Sequence, residues 1–250
     1  MLESLPRPVL FAHRGASAHA PENTLAAFEL ALEQGADAIE LDAKLSADGH
    51  VVVIHDATVN RTTGARGRVK DMTLADLRSL DAGSFFSEKF KGEKIPTLEE
   101  VFESVGKRTF INVELTNYDS PRDHLVESVC MLVKKFGLQK RVLFSSFFAS
   151  NLSAARRYLP EVPRGLLALN GWLGVWHRSF GFAFGKYDAL HPHLSDTTPQ
   201  QVQRVHRLGR RIHVWTVNEA DDMRRLFAWG VDGIFTDDPL LARRVREEAK

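Results

Sequence analysis

The chain has a single cysteine, Cys130, among its 250 residues. It can therefore form no internal disulfide and no cysteine metal cluster, and it suits a reducing compartment. Net charge is nearly absent: 33 Lys and Arg stand against 32 Asp and Glu, leaving +1. Such a balance argues against a nucleic-acid partner, which calls for a concentrated basic excess. No apolar run approaches the length of a membrane span, which excludes stable insertion as a helix. No signal peptide is visible ahead of the first informative residue, His13, so the expected location is cytoplasmic. Apolar residues make up 44% of the chain, ample for one large barrel-type domain.

The order of apolar runs supplies the architecture. Val9–Ala12 reads as a buried strand tipped by His13 and Arg14. A helix opens at Pro21–Thr24 and stops at Gly35, and Ala36–Leu45 is a second strand. From Pro96 onward strands and helices alternate. The strands are Thr109–Leu115, Arg141–Ser145, Arg164–Leu169, Asp188–His191, Arg211–Val217 and Val231–Thr236. The helices begin at Thr97, Ser120, Ala149, Trp172, Thr198, Glu219 and Asp238, and Cys130 sits at an apolar position of the second. Such alternation over this length predicts an α/β fold, a (β/α)8 TIM barrel. An open doubly wound sheet is the alternative, but no glycine fingerprint follows the first strand. Residues 57–95 break the rhythm with a polar loop, a short helix capped by Thr73 and Asp76, and an aromatic segment. They read as a small inserted subdomain within a single domain of residues 1–250.

The stretch from Ala38 to Asp56 carries the densest chemistry. Glu40 and Asp42, two apart on a strand, point to one face. Asp48-Gly49 signals a turn, and Val51–His55 follows too soon for a parallel crossover, so it is expected to run back antiparallel. A two-residue hairpin loop would set Asp42 opposite His55. At the carboxyl ends of the barrel strands, where chemistry gathers in this fold, stand His13, Arg14, Glu40, Asp42, Glu114, Ser145, Ser146, Trp215 and Asp237. Each has a plain structural reading too: Arg14 could serve an ion pair, Asp237 could merely start a helix, and residues 172–184 could be packed core. Three carboxylates side by side are costly without a cation, however, and they suit a hard divalent ion. Two histidines can move protons, and an arginine fork matches phosphate oxygens. Together these point to phosphodiester cleavage.

The segments HRGASAHAPENTLAAF, ADAIELDAKLSADGHVVVIHD, NRTTG, IPTLEEV, INVEL, HVWTVN and GVDGIFTDDP closely resemble, in order, those of the glycerophosphodiester phosphodiesterase family. The resemblance runs from His13 to Pro239. It implies His13 and His55 as the acid–base pair, and Glu40, Asp42 and Glu114 as ligands of one divalent cation, Mg²⁺ or Ca²⁺. It further implies Arg14 as a phosphate contact and Trp215 in the pocket wall, with a small-molecule glycerophosphodiester as substrate. A lysophospholipid cleaved at the same site is a second expectation, with the aromatic stretch 172–184 receiving the acyl chain. A non-catalytic phosphodiester binder would be favoured only by loss of one of these residues, and none is lost. One departure stands out: the family often carries a lysine two residues after the position of Glu114, where this chain has Thr116.

Overall fold

The computed structural model describes residues 2–248. Nine strands are present: β1 Val9–Ala12, β2 Ala38–Leu45, β3 Val51–Val53, β4 Phe110–Leu115, β5 Val142–Ser146, β6 Arg164–Ala168, β7 Ala189–Pro192, β8 Arg211–Val214 and β9 Gly233–Thr236. Eight of them, all but β3, pair in parallel, and β1 hydrogen-bonds to both β2 and β9, so the barrel closes. The surrounding helices are α1 Leu25–Glu33, α2 Asn60–Thr63, α3 Leu74–Ser79, α4 Leu98–Ser104, α5 Leu125–Lys135, α6 Ala149–Tyr158, α7 Val175–Arg178, α8 Phe180–Phe184, α9 Pro199–Arg207, α10 Ala220–Ala228 and α11 Pro239–Glu248. The chain is a TIM barrel.

The local causes are those that the sequence signals. Strand β1 is buried along its whole length, as a strand covered on both faces must be. Thr24 caps α1 by accepting the Ala27 amide, and Gly35 ends it at a φ of +84°, a conformation that glycine reaches without a Cβ penalty. Thr73 with Asp76 and Thr97 with Glu100 form complete capping boxes, each satisfying two amides that a helix start leaves bare. Outward-facing residues of the strands, among them Ile39, Leu41, Ile111, Val113 and Ile234, join the helices in one continuous core. Cys130 lies in that core, and burial pushes its thiol up to about 12, so it packs as a small hydrophobe. Among the described residues no helix is long and apolar enough to cross a membrane.

Several boundaries differ from expectation, each for a local reason. Helix α5 begins at Leu125, not Ser120, because Asp123 takes the Leu125 amide and the Asn117 and Ser120 side chains. Residues 172–184 are not one helix. A 3-10 turn, α7 and α8 follow one another, broken at Ser179, whose hydroxyl bonds back to the Val175 carbonyl.

The hairpin register also differs. Ser46 and His50 close a three-residue loop, with Gly49 at a φ of +82°, and this pairs Ala43 with Val53. Asp42 therefore stands across from Ile54, whose amide it receives at 2.9 Å, and not across from His55. The chain leaves the strand after Val53, and that departure lets His55 reach the site nonetheless.

Between β3 and α4, residues 57–95 form short turns and helices around an apolar cluster of their own. Val59, Val69, Leu77, Ala82 and Ile95 close over Val52 and Ile54 of the hairpin.

Candidate active site

Glu40 and Asp42 project from β2 into the barrel mouth, and Glu114 projects from β4, where it lies directly across from Asp42. Their ligand oxygens all lie within 4.8 Å of one another. Burial and mutual repulsion raise the Glu40 and Glu114 carboxyls well above the ordinary range. Asp42 is buried too, but Arg14, His55 and an Asn23 amide at 2.9 Å keep it below that range. Three hard oxygen donors, two of them strained by the others' charge, are a donor set that a divalent cation fits.

The turn after β1 holds Arg14 against this group. Arg14 takes a φ of 58°, in the left-handed region that a bulky residue occupies only when its surroundings enforce it. They do so here. Its amide bonds Glu40 Oε2 at 2.9 Å, its carbonyl accepts the Asn23 amide, and Nη1 bonds Glu22 at 3.0 Å. Nε lies 3.4 Å from Asp42. Gly15 follows at a φ of +85°, and a Cβ there would meet the Ala27 backbone at 2.7 Å, so only glycine lets the turn press onto α1.

Each histidine is backed by an aspartate. His13 Nδ1 lies 2.6 Å from Asp237 Oδ1, at the end of β9. Burial works to raise the Asp237 carboxyl, but hydrogen bonds from His13, Asn218 and Ser17 hold it below the ordinary range. His55 Nδ1 lies 2.7 Å from Asp56 Oδ1. Asp56 is lowered to about 2, chiefly by Arg61, whose guanidinium reaches both Asp56 and Glu22. A carboxylate on Nδ1 fixes the tautomer and leaves Nε2 for chemistry.

His13, Arg14, Glu40, His55, Glu114 and Trp215 line one cavity of about 70 Å³, together with Asn112, Ser145, Phe147, Leu167 and Phe235. A wider cleft of about 380 Å³ continues past His13 and Arg14 toward Ser17, Glu22, Asn218 and Asp238. A cavity of about 620 Å³ opens at the opposite end of the barrel around Arg7, Arg164 and Arg211, and none of the candidate residues touches it. Trp215 is fixed by its Nε1 bond to the His191 carbonyl at 2.8 Å and by edge contacts with Phe147 and His193.

All seven candidate residues thus meet at one mouth, and Ser145 joins the wall. Ser146 turns away to the Leu115 carbonyl and Asn151. Asp237 does more than start a helix. The sequence reading overlooks Tyr118, whose hydroxyl donates to Glu114 at 2.8 Å, and Glu22, Asp56 and Arg61. The last three lie inside motifs already singled out, PENT, the His-Asp tip and NRTTG, and are findable there. Thr116 is buried; its hydroxyl donates to the Ala43 carbonyl and accepts from the Lys44 ammonium at 3.1 Å. Lys44 faces a separate crevice, so this position is structural in the present chain.

A parallel barrel whose mouth joins clustered carboxylates, an arginine and two aspartate-backed histidines is of the phosphoester hydrolase class. The model of the glycerophosphoryl diester phosphodiesterase family matches residues 13–241, and the chain belongs to that family. It is 42% identical to a glycerophosphodiester phosphodiesterase of Caldanaerobacter subterraneus over 93% of this chain and 95% of the relative. A phosphodiesterase of Oleispira antarctica, solved in complex with the product sn-glycerol-3-phosphate, is 32% identical with a TM-score of 0.89, covering 96% of this chain and 97% of that one. A glycerophosphodiester phosphodiesterase structure from Agrobacterium tumefaciens is 31% identical with a TM-score of 0.82, covering 94% and 99%.

Proposed function

We propose that the chain hydrolyses glycerophosphodiesters to sn-glycerol 3-phosphate and an alcohol, with His13 and His55 as the acid–base pair. The observation that carries this reading is the pair of histidine–aspartate contacts, 2.6 Å at His13 and 2.7 Å at His55, opening on the cavity that also holds the carboxylate cluster. One divalent cation, Mg²⁺ or Ca²⁺, is assigned to Glu40, Asp42 and Glu114. When bound it supplies Lewis acidity that offsets phosphoryl charge. The protein's own groups do the rest. Arg14, held at the cavity wall by Glu22, offers an N–H to a phosphate oxygen. His13, fixed by Asp237, takes the proton of the nucleophile. His55 delivers a proton to the departing alcohol oxygen. Trp215 and Phe147 form the apolar wall beside the leaving group. We place the reaction in the cytoplasm, where the lone buried thiol is at ease.

Residues 57–95 are assigned as a small inserted subdomain that caps the mouth. Its separate apolar cluster and the reach of Arg61 to Asp56 and Glu22 support this. Cleavage of a lysophospholipid at the same site is a second reading, favoured by the exposed aromatic loop after β6.

The deciding assay offers glycerophosphocholine and lysophosphatidylcholine to metal-stripped protein, with Mg²⁺, Ca²⁺ or Mn²⁺ added back. Release of sn-glycerol 3-phosphate and choline supports the first reading, and lysophosphatidic acid or its cyclic form the second. Full turnover in excess chelator would contradict the metal assignment.

A further inference from the structure

Seven of the twelve large apolar side chains exposed on the described surface lie between Leu169 and Phe184, in the loop joining β6 to β7. Trp172, Leu173 and Phe184 are 92%, 81% and 84% exposed. Trp176, Phe180 and Phe184 form a row with ring centroids 6.3 Å apart at each step. Single exposed apolar residues are ordinary, but a continuous patch of this kind marks an interaction surface.

The row is presented by a braced scaffold. Arg178 donates to the Leu169 and Gly171 carbonyls, and Arg210 donates to those of Phe182 and Gly185 while its guanidinium lies over the Phe182 ring. His177 Nδ1 donates to the Leu167 carbonyl at 3.0 Å. Leu167 lines the catalytic cavity, so the patch begins two residues beyond the wall of the mouth.

Charge selects the occupant. From Leu169 to Lys186 the chain contains no Asp or Glu. Arg178, Lys186 and Arg210 accompany the apolar row, and among them only Arg178 meets a carboxylate, Asp196, at 3.3 Å. A second copy docked symmetrically on this surface would bring like charges together. Aromatic side chains with the exposed Lys186 at their edge and no acidic residue among them match the headgroup layer of an anionic bilayer instead. We infer that residues 169–186 form an interfacial docking surface that seats the catalytic mouth against an anionic lipid bilayer. The inference rests on the proposed function only for the identity of that mouth.

The test is sedimentation of the full chain with unilamellar vesicles of phosphatidylcholine, alone or with about a third of phosphatidylglycerol, at low and high salt. A Trp172→Ser/Leu173→Ser/Phe184→Ser variant is run beside it. Wild type should bind the anionic vesicles, and bind less at high salt and to phosphatidylcholine alone. The variant should lose about tenfold or more in partitioning, with an unchanged melting temperature and an unchanged rate on water-soluble glycerophosphocholine. Trp172→Ser alone serves if the triple variant melts early. Three results would overturn the inference: no binding of wild type to anionic vesicles at low salt, equal binding by the variants, or a dimer that the substitutions dissociate without any vesicle binding. Loss of soluble-diester activity in wild type would count against the proposed function and leave the docking result standing.

Discussion

Asp237 Oδ1 lies 2.6 Å from His13 Nδ1 although 224 residues separate them in the chain. The contact forms because β1 and β9 are neighbours at the closing seam of the barrel, pairing Ala12 with Thr236. Each strand then delivers its next residue to the rim. Asp237→Asn should keep this geometry but place a donor where an acceptor is needed, turning the imidazole to the wrong tautomer. The rate should fall roughly 10²–10⁴-fold, as for loss of a positioned proton-transfer group. A pH–rate profile of the variant checks it, and a native rate would detach Asp237 from catalysis.

Glu114→Gln should weaken metal binding at least about 100-fold, more than the usual loss of an outer-shell partner. The metal-free variant should melt at or above the temperature of the metal-free parent, because a neutral amide is buried beside Asp42 without the proton that the Glu114 carboxyl must take up on folding. Calorimetric titration and melting curves in chelator measure both. A lower melting temperature would make Glu114 a structural partner of Tyr118.

Arg61 ties the inserted segment to Asp56 and Glu22. Arg61→Ala should free the support of His55 and lower kcat by about tenfold or more, with a smaller effect on stability, since ion pairs of a half-exposed arginine contribute about 1 kcal/mol or less each. Equal kcat in parent and variant would show that His55 needs no such support.

The barrel floor holds His191 and His213, Nε2 to Nδ1 at 3.1 Å. Burial lowers His191 to about 3 and drives His213 down as well. Both are neutral in the fold, whereas the unfolded chain takes up protons below about 6.5. Their contribution is therefore fully present above that pH and is lost as pH falls toward the folded-state values, by up to about 1.4 kcal/mol per pH unit for each histidine. His213→Gln should flatten the fall in stability between about pH 7 and pH 5. Identical slopes for parent and variant in urea melts would contradict it.

The barrel itself is legible in the sequence because parallel strands buried on both faces are short apolar runs, and Val9–Ala12 or Val142–Phe144 can hardly be anything else. The cluster of Glu40, Asp42 and Glu114 is legible because strand parity and the rule of carboxyl ends place all three at one rim. Asp237 is not, since its role depends on barrel closure and its local context, Asp-Asp-Pro, equally suits a helix start. The hairpin register is missed by one residue because Ser46 caps the turn with its side chain, which lengthens the loop. The break at Ser179 is hidden because the apolar run around it continues through both short helices.

The most direct measurement compares His13→Ala and His55→Ala on glycerophosphocholine and on a nitrophenyl phosphodiester, whose leaving group departs without a proton. On the natural diester both should fall roughly 10²–10⁴-fold. On the nitrophenyl ester only His55→Ala should recover, which assigns His55 as the acid and His13 as the base. Near-native rates for both variants on the natural diester would contradict the two-histidine account.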